Sequence, residues 1–342
     1  MIPLHDPSHA LRPTAVALGS FDGLHAGHRR VIQAITGGHG ASVVPTVVSF
    51  WPHPREVLHG EARLRLDLPE EQPELLEPLG IGQLVLVPFD RQLAALTPGA
   101  FVGRVLVDQL AARHVAVGDN FRFGAGRCGD ATDLQRLAAA HGIRVEILPM
   151  LWQGGERLSS SRIRAALASG AIAEARRLLE RPYRFRGPVV SGRGLGRQLG
   201  WPTANLEVDG RKFLPAEGVY AALAWITPPA GGAAAASGPL AAVMNLGPQP
   251  TVDPAAPSAV EVHLLDRRLD LAGCRLTVEP LQLLRHQQRF DGLPALVAQI
   301  GRDADQARQL ARLAGALAPS AGIGVAEAPG DEQADAAEHQ NR

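Results

Sequence analysis

Short apolar runs alternate with helical patterns through the first half of the chain. Thr14–Leu18, Ser42–Phe50, Leu84–Phe89, His114–Val117 and Arg144–Leu148 read as strands, and Gly27–Ile35, Pro98–Leu110 and Asp130–Ala140 as the helices between them. Two more helices follow, Ser160–Ser169 and Ile172–Leu179. Strand–helix alternation predicts a mostly parallel sheet with helices on both faces. Ligands of such sheets bind beyond the carboxyl ends of the strands. The texture changes at Arg181-Pro182. From Phe185 to about Leu284 short alternating runs are split by Gly and Pro: Gly187–Val190, Gly218–Trp225, Ala241–Leu246, Val260–Leu265 and Leu276–Leu281. These predict an all-β barrel or sandwich. Leu293–Leu317 is an amphipathic helix, with Leu296, Ile300, Ala307, Leu310 and Leu313 at helical spacing. The expected organisation is therefore an α/β domain over 1–182, a β domain with a C-terminal helix over 183–317, and a tail over 318–342. That tail has almost nothing to bury and reads as disordered. Ala230–Pro239, small and low in complexity, reads as a flexible hairpin loop.

At 342 residues the chain can bury two cores. Lys+Arg and Asp+Glu balance at 34 each, so there is no global field to recruit nucleic acid or an anionic membrane, and neither is an expected partner. Small molecules are the expected partners, with the chain a monomer or weak homo-oligomer. Cys128 and Cys274 lie far apart and make no metal or redox motif. Met1–Pro13 has no apolar stretch of signal-peptide type, and no run of apolar residues is long enough to span a bilayer, so a cytoplasmic location is expected. Lys212 is the only lysine among 34 basic residues. Arginine gives planar, forked phosphate donors, but a coding bias of a GC-rich genome is the weightier explanation.

Gly19-Ser20-Phe21-Asp22-Gly23-Leu24-His25-Ala26-Gly27-His28 follows the first predicted strand. It reads as a glycine turn opening a helix. His25 and His28 are spaced to share one face at a helix N-terminus, where free N–H groups and the helix dipole favour an anion. Alone, HxGH is equally a capped helix with two surface histidines. Supporting groups also follow predicted strands or open a helix. Gly118–Gly124 brings Asp119, Asn120, Phe121 and Arg122; Phe50-Trp51-Pro52-His53-Pro54 makes a rigid aromatic loop; Ser159-Ser160-Ser161-Arg162-Ile163-Arg164 offers hydroxyls and two arginines at a helix start.

A second dense stretch runs from Ser191 to Asn205. Four glycines at 192, 194, 196 and 200 let a backbone approach a ligand, and Arg193 and Arg197 add charge. Thr203 and Asn205, two apart in an extended segment, put a hydroxyl and an amide oxygen on one face, a donor set suited to Mg²⁺. A plain glycine-rich surface loop is the alternative. Glu261 and His263 share a strand face opposite Val260, Val262 and Leu264. Glu261 is then either a solvated edge residue or a carboxylate that takes a proton from an attacking hydroxyl.

GSFDGLHAGH resembles the signature of the nucleotidyltransferase superfamily. With FWPHP, VGDNFRFG and LSSSRIRAAL it is similar to the Rossmann-like FMN adenylyltransferase module of bacterial bifunctional riboflavin kinase/FAD synthetases. GRGLGRQLGWPTANLEV, LPAEGVYAA, NLGPQPTV and VEVHLLD resemble the riboflavin kinase barrel of the same enzymes, in order and spacing. The resemblance implies phosphorylation of riboflavin to FMN, then transfer of AMP from ATP to FMN, giving FAD and pyrophosphate, with Mg²⁺ as cofactor. It implies that His25 and His28 stabilise charge on the α-phosphate, and that Asn120 and Phe121 help place the flavin nucleotide. Gly19, Phe21, Asp22, Gly27, Ser160, Ser161, Arg162 and Arg164 would form the ATP and pyrophosphate site. In the second module Gly192, Gly196 and Arg197 would lie over ATP, Thr203 and Asn205 would bind Mg²⁺, Glu261 would be the general base, and Arg285 and Phe290 would border the flavin. Gln249, where the family often has arginine, and Leu271-Ala272-Gly273, in place of a Tyr-Gly, depart from the pattern, as does the lack of a lysine shortly after Leu66–Glu71. Two alternatives keep parts of this reading: a nucleotidyltransferase for another small phosphate ester, and a flavin-binding regulator without catalysis.

Overall fold

The computed structural model describes residues 1–37, 42–61, 63–192, 196, 199–229, 237–247, 259–267 and 269–316. Six strands form the first sheet, in the order β1 (Leu4–His5), β4 (Gln83–Pro88), β3 (Val44–Trp51), β2 (Thr14–Leu18), β5 (Ala112–Gly118) and β8 (Arg144–Leu148), every pairing parallel. Two short antiparallel pairs decorate it, β6 (Arg122–Phe123) with β7 (Gly129–Asp130) and β9 (Trp152–Gln153) with β10 (Glu156–Arg157). The predicted parallel sheet is present, with one strand more than the apolar runs announced. β1 has only two residues, too few to show alternation, and it is held by pairing to β4.

Alternation along β2 sorts the core. Val16 and Leu18 point to one face, where they meet Phe101, Val102, Leu106, Leu134 and Ala138. Ala15 and Ala17 point to the other, where they meet Ile32, Ile35 and Leu76. Helix Ala131–Ala139 and the stretch Pro98–Phe101, continued by the wider π-wound turns of Val102–Gln109, cover the first face. Helices Ala26–Gln33 and Gln72–Leu76 cover the second. A sheet buried on both faces puts its loops, and any ligand, at the strands' carboxyl edge.

After helices Ser160–Ala168 and Ile172–Leu179 the chain enters a closed six-stranded barrel, β11 (Phe185–Val190), β12 (Ala204–Leu206), β15 (Ala259–Leu264), β14 (Ser237–Gly247), β13 (Gly218–Thr227) and β16 (Arg275–Arg285), all antiparallel. Tyr220, Ala222, Met244, Val260, Val262 and Leu276 fill its interior. Their neighbours Val219, Ala221 and Val243 face outward beneath Ala304 and Ala307 of the long helix Leu293–Ala316. The predicted strands are all present; the three-residue β12 was expected only as an extended segment. The loop predicted over Ala230–Pro239 is shorter than expected, because residues 237–239 belong to β14, where Ser237 pairs with Ile226 of β13; its residues 230–236, with Gln249, Arg193, Arg197 and the tail, lie outside the described residues.

The two halves are continuous in packing. Ile163, Leu167 and Leu178 share one apolar cluster with Tyr183, Phe185 and the barrel interior. A loop of the first half also pairs with the barrel side: Arg65 and Lys212 form a parallel β-bridge, with Arg65 N–H donating to the Arg211 carbonyl and Phe213 N–H to the Arg65 carbonyl, both at 2.7 Å.

Candidate active sites

The first site begins where β2 ends. The turn is tight: Phe21 (φ 43°), Gly23 (φ 92°) and Leu24 (φ 43°) all take left-handed backbone. Such strain persists only where surrounding contacts over-determine it. Here the contacts come from Asp22. It is buried; its Oδ1 accepts from the N–H groups of Leu66 (2.8 Å) and Asp67 (3.2 Å), its Oδ2 pairs with Arg164, and its carbonyl accepts from Ser160 Oγ at 2.7 Å. Burial pushes the Asp22 carboxyl pKa up, opposed by Arg164.

His25 caps helix Ala26–Gln33, its Nδ1 accepting from His28 N–H at 3.4 Å. The two imidazoles stack, centroids 3.7 Å apart and 21° from parallel, and the Phe21 ring meets His28 edge-on at 5.5 Å. Gly27 makes room for this: a Cβ there would lie 3.2 Å from His25 Cε1 and Nδ1. Burial, then Arg29 and Arg157, pulls the His25 pKa down to about 4. Burial, His25 and Arg29 pull His28 well below the usual range. Both rings are thus held toward the neutral form, and among the described residues His28 Nδ1 is buried with no hydrogen-bond partner. Arg29 ties the turn to the next helices through the carbonyls of Leu24 (2.9 Å) and Leu179 (3.0 Å).

Other groups come to the same edge because β3, β2 and β5 are adjacent and parallel. Asn120 follows β5, exposed, and Phe121 stacks on Phe123 at 5.7 Å. Ser159 caps helix Ser160–Ala168, where Ser161 is exposed. Arg162 is held by the Gln153 carbonyl (2.8 Å), Glu156 (3.1 Å) and Glu174 (3.2 Å). After β3, His53 caps helix Pro54–His59; burial with Arg65, Arg63 and Arg164 nearby drives its pKa down to about 3. The edge therefore gathers cations around neutral imidazoles, a field that suits a polyphosphate.

The second site lies on the outer wall of the barrel. Glu261 of β15 is in register with Asn205 on one side and Asn245 on the other. Its strand neighbours Val260, Val262 and Leu264 point inward, so Glu261 and His263 share the outer face, as the alternation predicted. Gly192 and Gly196 lie against the two expected oxygen donors. A Cβ at Gly192 would come 1.9 Å from Asn205 Nδ2, and one at Gly196 would come 3.1 Å from Thr203 Oγ1. These glycines leave a cradle that side chains would fill, and hydroxyl and amide oxygens suit a hard cation. No cluster of three or more His, Cys, Asp or Glu able to hold a metal occurs among the described residues. His263 Nδ1 bonds the Pro202 carbonyl at 2.7 Å, and Gln287 donates to Asn245 Oδ1 at 2.7 Å. Arg285 forms an ion pair with buried Asp303 (2.9 Å) and lies 5.3 Å from the Phe290 ring.

A family model for FAD synthetase matches residues 8–162, and one for riboflavin kinase matches residues 179–311. Curated proteins described as bifunctional riboflavin kinase/FMN adenylyltransferase are similar along almost the whole chain. That of Escherichia coli K12 is 38% identical over 309 residues, covering 90% of this chain and 96% of the relative. That of Pseudomonas fluorescens is 39% identical, with 89% and 96% covered. That of Bacillus subtilis is 30% identical, with 88% and 95% covered. The chain belongs to the bifunctional riboflavin kinase/FMN adenylyltransferase family. A solved structure described as a macrolide-efflux protein from Streptococcus pneumoniae shares the architecture, with a TM-score of 0.74, 28% identity, and coverage of 89% of this chain and 97% of that one. Among the described residues no helix is long and apolar enough to cross a membrane.

For a riboflavin kinase/FMN adenylyltransferase, the sequence-predicted residues divide by how the structure holds them. His25, His28, Gly19, Gly27, Asn120 and Ser161 lie at or support the carboxyl edge of the parallel sheet. Phe21 is core, packed over Gly19 and His28; Asp22, Ser160, Arg162 and Arg164 are engaged in bonds within the protein. Thr203, Asn205 and Glu261 meet on the barrel wall with Gly192 and Gly196. Sequence reasoning singled out the His53 loop but missed Arg63 and Arg65, which lie near His53, and the Leu66 and Asp67 amides that anchor Asp22. Only the charge of Arg63 and Arg65 marked them, and arginine is common throughout this chain.

Proposed function

We infer that the chain carries both steps of FAD synthesis in two separate sites: riboflavin kinase on the barrel and FMN adenylyltransferase at the edge of the parallel sheet. The observation that carries this reading is the separation itself. Stacked His25 and His28 stand at one strand edge, and the row Asn205–Glu261–Asn245 stands on another domain's outer wall. We place the domain boundary at residue 182 and the reaction in the cytoplasm, where a chain with two free, widely separated cysteines fits.

In the transferase site an FMN phosphate oxygen attacks the α-phosphorus of ATP, the bond to the β-phosphate bridging oxygen breaks, and pyrophosphate leaves. No covalent nucleophile is needed, so catalysis rests on position and charge. Neutral His25 and His28 donate N–H bonds to the α-phosphate oxygens, where negative charge builds. Ser161 and the open first turn of helix Ser160–Ala168 receive the departing pyrophosphate. Arg164 acts through Asp22, holding the turn that presents the histidines. In the kinase site Glu261 takes the proton from riboflavin's 5′-hydroxyl as that oxygen attacks the γ-phosphorus of ATP; the bond from that phosphorus to the β,γ-bridging oxygen breaks, and ADP leaves. Thr203 and Asn205 would hold Mg²⁺, which supplies charge neutralisation of the triphosphate. Gln287, bonded to Asn245, ties the 285–290 segment to this wall, beside the flavin.

The test is direct. The protein is incubated with ATP, Mg²⁺ and riboflavin, and FMN and FAD are resolved by chromatography. Glu261→Ala is expected to abolish FMN formation while leaving FMN-to-FAD conversion; His28→Ala should do the reverse. Two folded variants that each lose both activities equally would overturn the two-site reading.

A further inference from the structure

We propose that Lys212, a residue of the barrel half, is a positioning residue for the adenylyltransferase site of the other half. The proposal rests on the two-activity reading above. Lys212 is the only lysine of the chain, and its side chain is 1% exposed. Its Nζ donates to the Leu66 carbonyl at 2.7 Å and pairs with Glu71 at 2.6 Å, with the Tyr183 ring 5.1 Å away. The same Glu71 oxygen accepts from Leu68 N–H at 2.9 Å. One ammonium thus clamps both ends of the segment Leu66–Glu71.

That segment leads straight to the histidines. The amides of Leu66 and Asp67 hold Asp22 Oδ1, and Asp22 sits inside the strained turn. The Leu66 side chain packs on the turn's glycine, its Cδ1 only 2.8 Å from where a Gly23 Cβ would stand. Asp67 takes two bonds from Arg181, at 2.7 and 2.6 Å, and Arg181 also donates to the Gly23 carbonyl at 3.1 Å. From Lys212 the order is ammonium, Leu66 carbonyl and Glu71, amides of 66 and 67, Asp22, then the turn presenting His25 and His28. None of the hydrogen bonds and ion pairs named in this series is made by Thr203, Asn205 or Glu261.

Losing Lys212 does not undock the halves. The bridge at Arg65 and Lys212 uses backbone bonds, and Arg186–Glu74 (2.8 Å) and Arg211–Glu70 (3.3 Å) span the seam independently. The loss instead leaves the Leu66 carbonyl and Glu71 without their shared donor, so the 66–71 segment can shift and carry Asp22 with it. A shift of about 1 Å at a reacting centre costs on the order of a hundredfold in rate, and a damped shift arriving through several links is expected to cost about tenfold.

The experiment uses the full chain with Lys212→Met, and Lys212→Met/Glu71→Gln as the companion that removes both charges and so avoids an unpaired buried carboxylate. Each is assayed for FMN-to-FAD conversion and for riboflavin-to-FMN conversion in the same preparation. The expected result is a fall of about tenfold in kcat for FAD formation with KM for ATP little changed, and a kinase rate within about twofold of wild type, in both variants. A variant that loses both activities in parallel overturns the proposal, because a general loss of fold would do that. So does FAD formation at the wild-type rate in either variant. A wild-type protein that makes FMN but no FAD is a different failure: it overturns the two-activity reading itself.

Discussion

Gly192→Ala is the sharpest test of the barrel site, because the structure sets its size. A Cβ at residue 192 would lie 1.9 Å from Asn205 Nδ2 and 2.7 Å from its Cγ. Carbon contacts relax near 3.5–4 Å, so the Asn205 amide must swing away by roughly 1.5 Å. Gly192 is exposed and its φ is outside the left-handed region, so an alanine backbone is unstrained. The fold therefore loses little, about 1 kcal/mol for one displaced side chain. Function loses more. Asn205 neighbours Glu261 across the strand pair, and a displacement beyond about 1 Å costs on the order of a hundredfold in kcat/KM, or roughly 2.7 kcal/mol of barrier. The assay measures FMN from riboflavin under initial-rate conditions, with FMN-to-FAD conversion in the same sample as control. FMN formation within threefold of wild type would refute the placement of Asn205 in the site. Equal loss of both activities would refute the independence of the two sites.

Two further outcomes follow from the transferase edge. Asp22→Asn leaves Arg164 facing a neutral amide in a buried place, and a loss of about 3 kcal/mol is expected in denaturant unfolding, with FAD formation falling more than FMN formation; an unchanged midpoint would count against the anchoring role. His25 titrates near 4 in the folded protein and near 6.5 when unfolded, so the unfolded state binds the proton first as pH falls. Its contribution to stability is full above about 6.5 and is lost progressively towards about 4; thermal melts between pH 7.5 and 4.5 should show a slope that His25→Asn flattens, and an identical slope in the variant would sink the assignment.

Much of this was legible along the chain. The α/β half, the all-β character of the second half, the amphipathic C-terminal helix and the face shared by Glu261 and His263 all follow from periodicity and short-range spacing. Those are local properties, and the physics that sets them acts within a turn or a strand. Asp22, Arg162 and Arg164 show the opposite. Their residue types suit a phosphate site, yet their charges find partners brought by distant segments: Asp22 meets the amides of Leu66 and Asp67, and Arg162 meets Glu156 and Glu174. Short strands such as β1 were invisible because two residues carry no alternation.

The sequence by itself determined an α/β half followed by an all-β half and the glycine turn with its histidine pair, and its motifs resembled those of one enzyme family. Tertiary structure alone decided that Glu261 stands between Asn205 and Asn245, since strand pairing across 56 residues has no local signature. It alone decided where the single lysine goes. Read in the chain, Lys212 is the only lysine and stands next to Arg211, and the scarcity of lysine is most simply a result of coding bias. In the fold it is buried at the seam between the halves, bonded to the segment that anchors the histidine turn. A buried ammonium is tolerated only when carbonyl and carboxylate oxygens surround it, and those oxygens come from residues 66 and 71, which only folding brings to it.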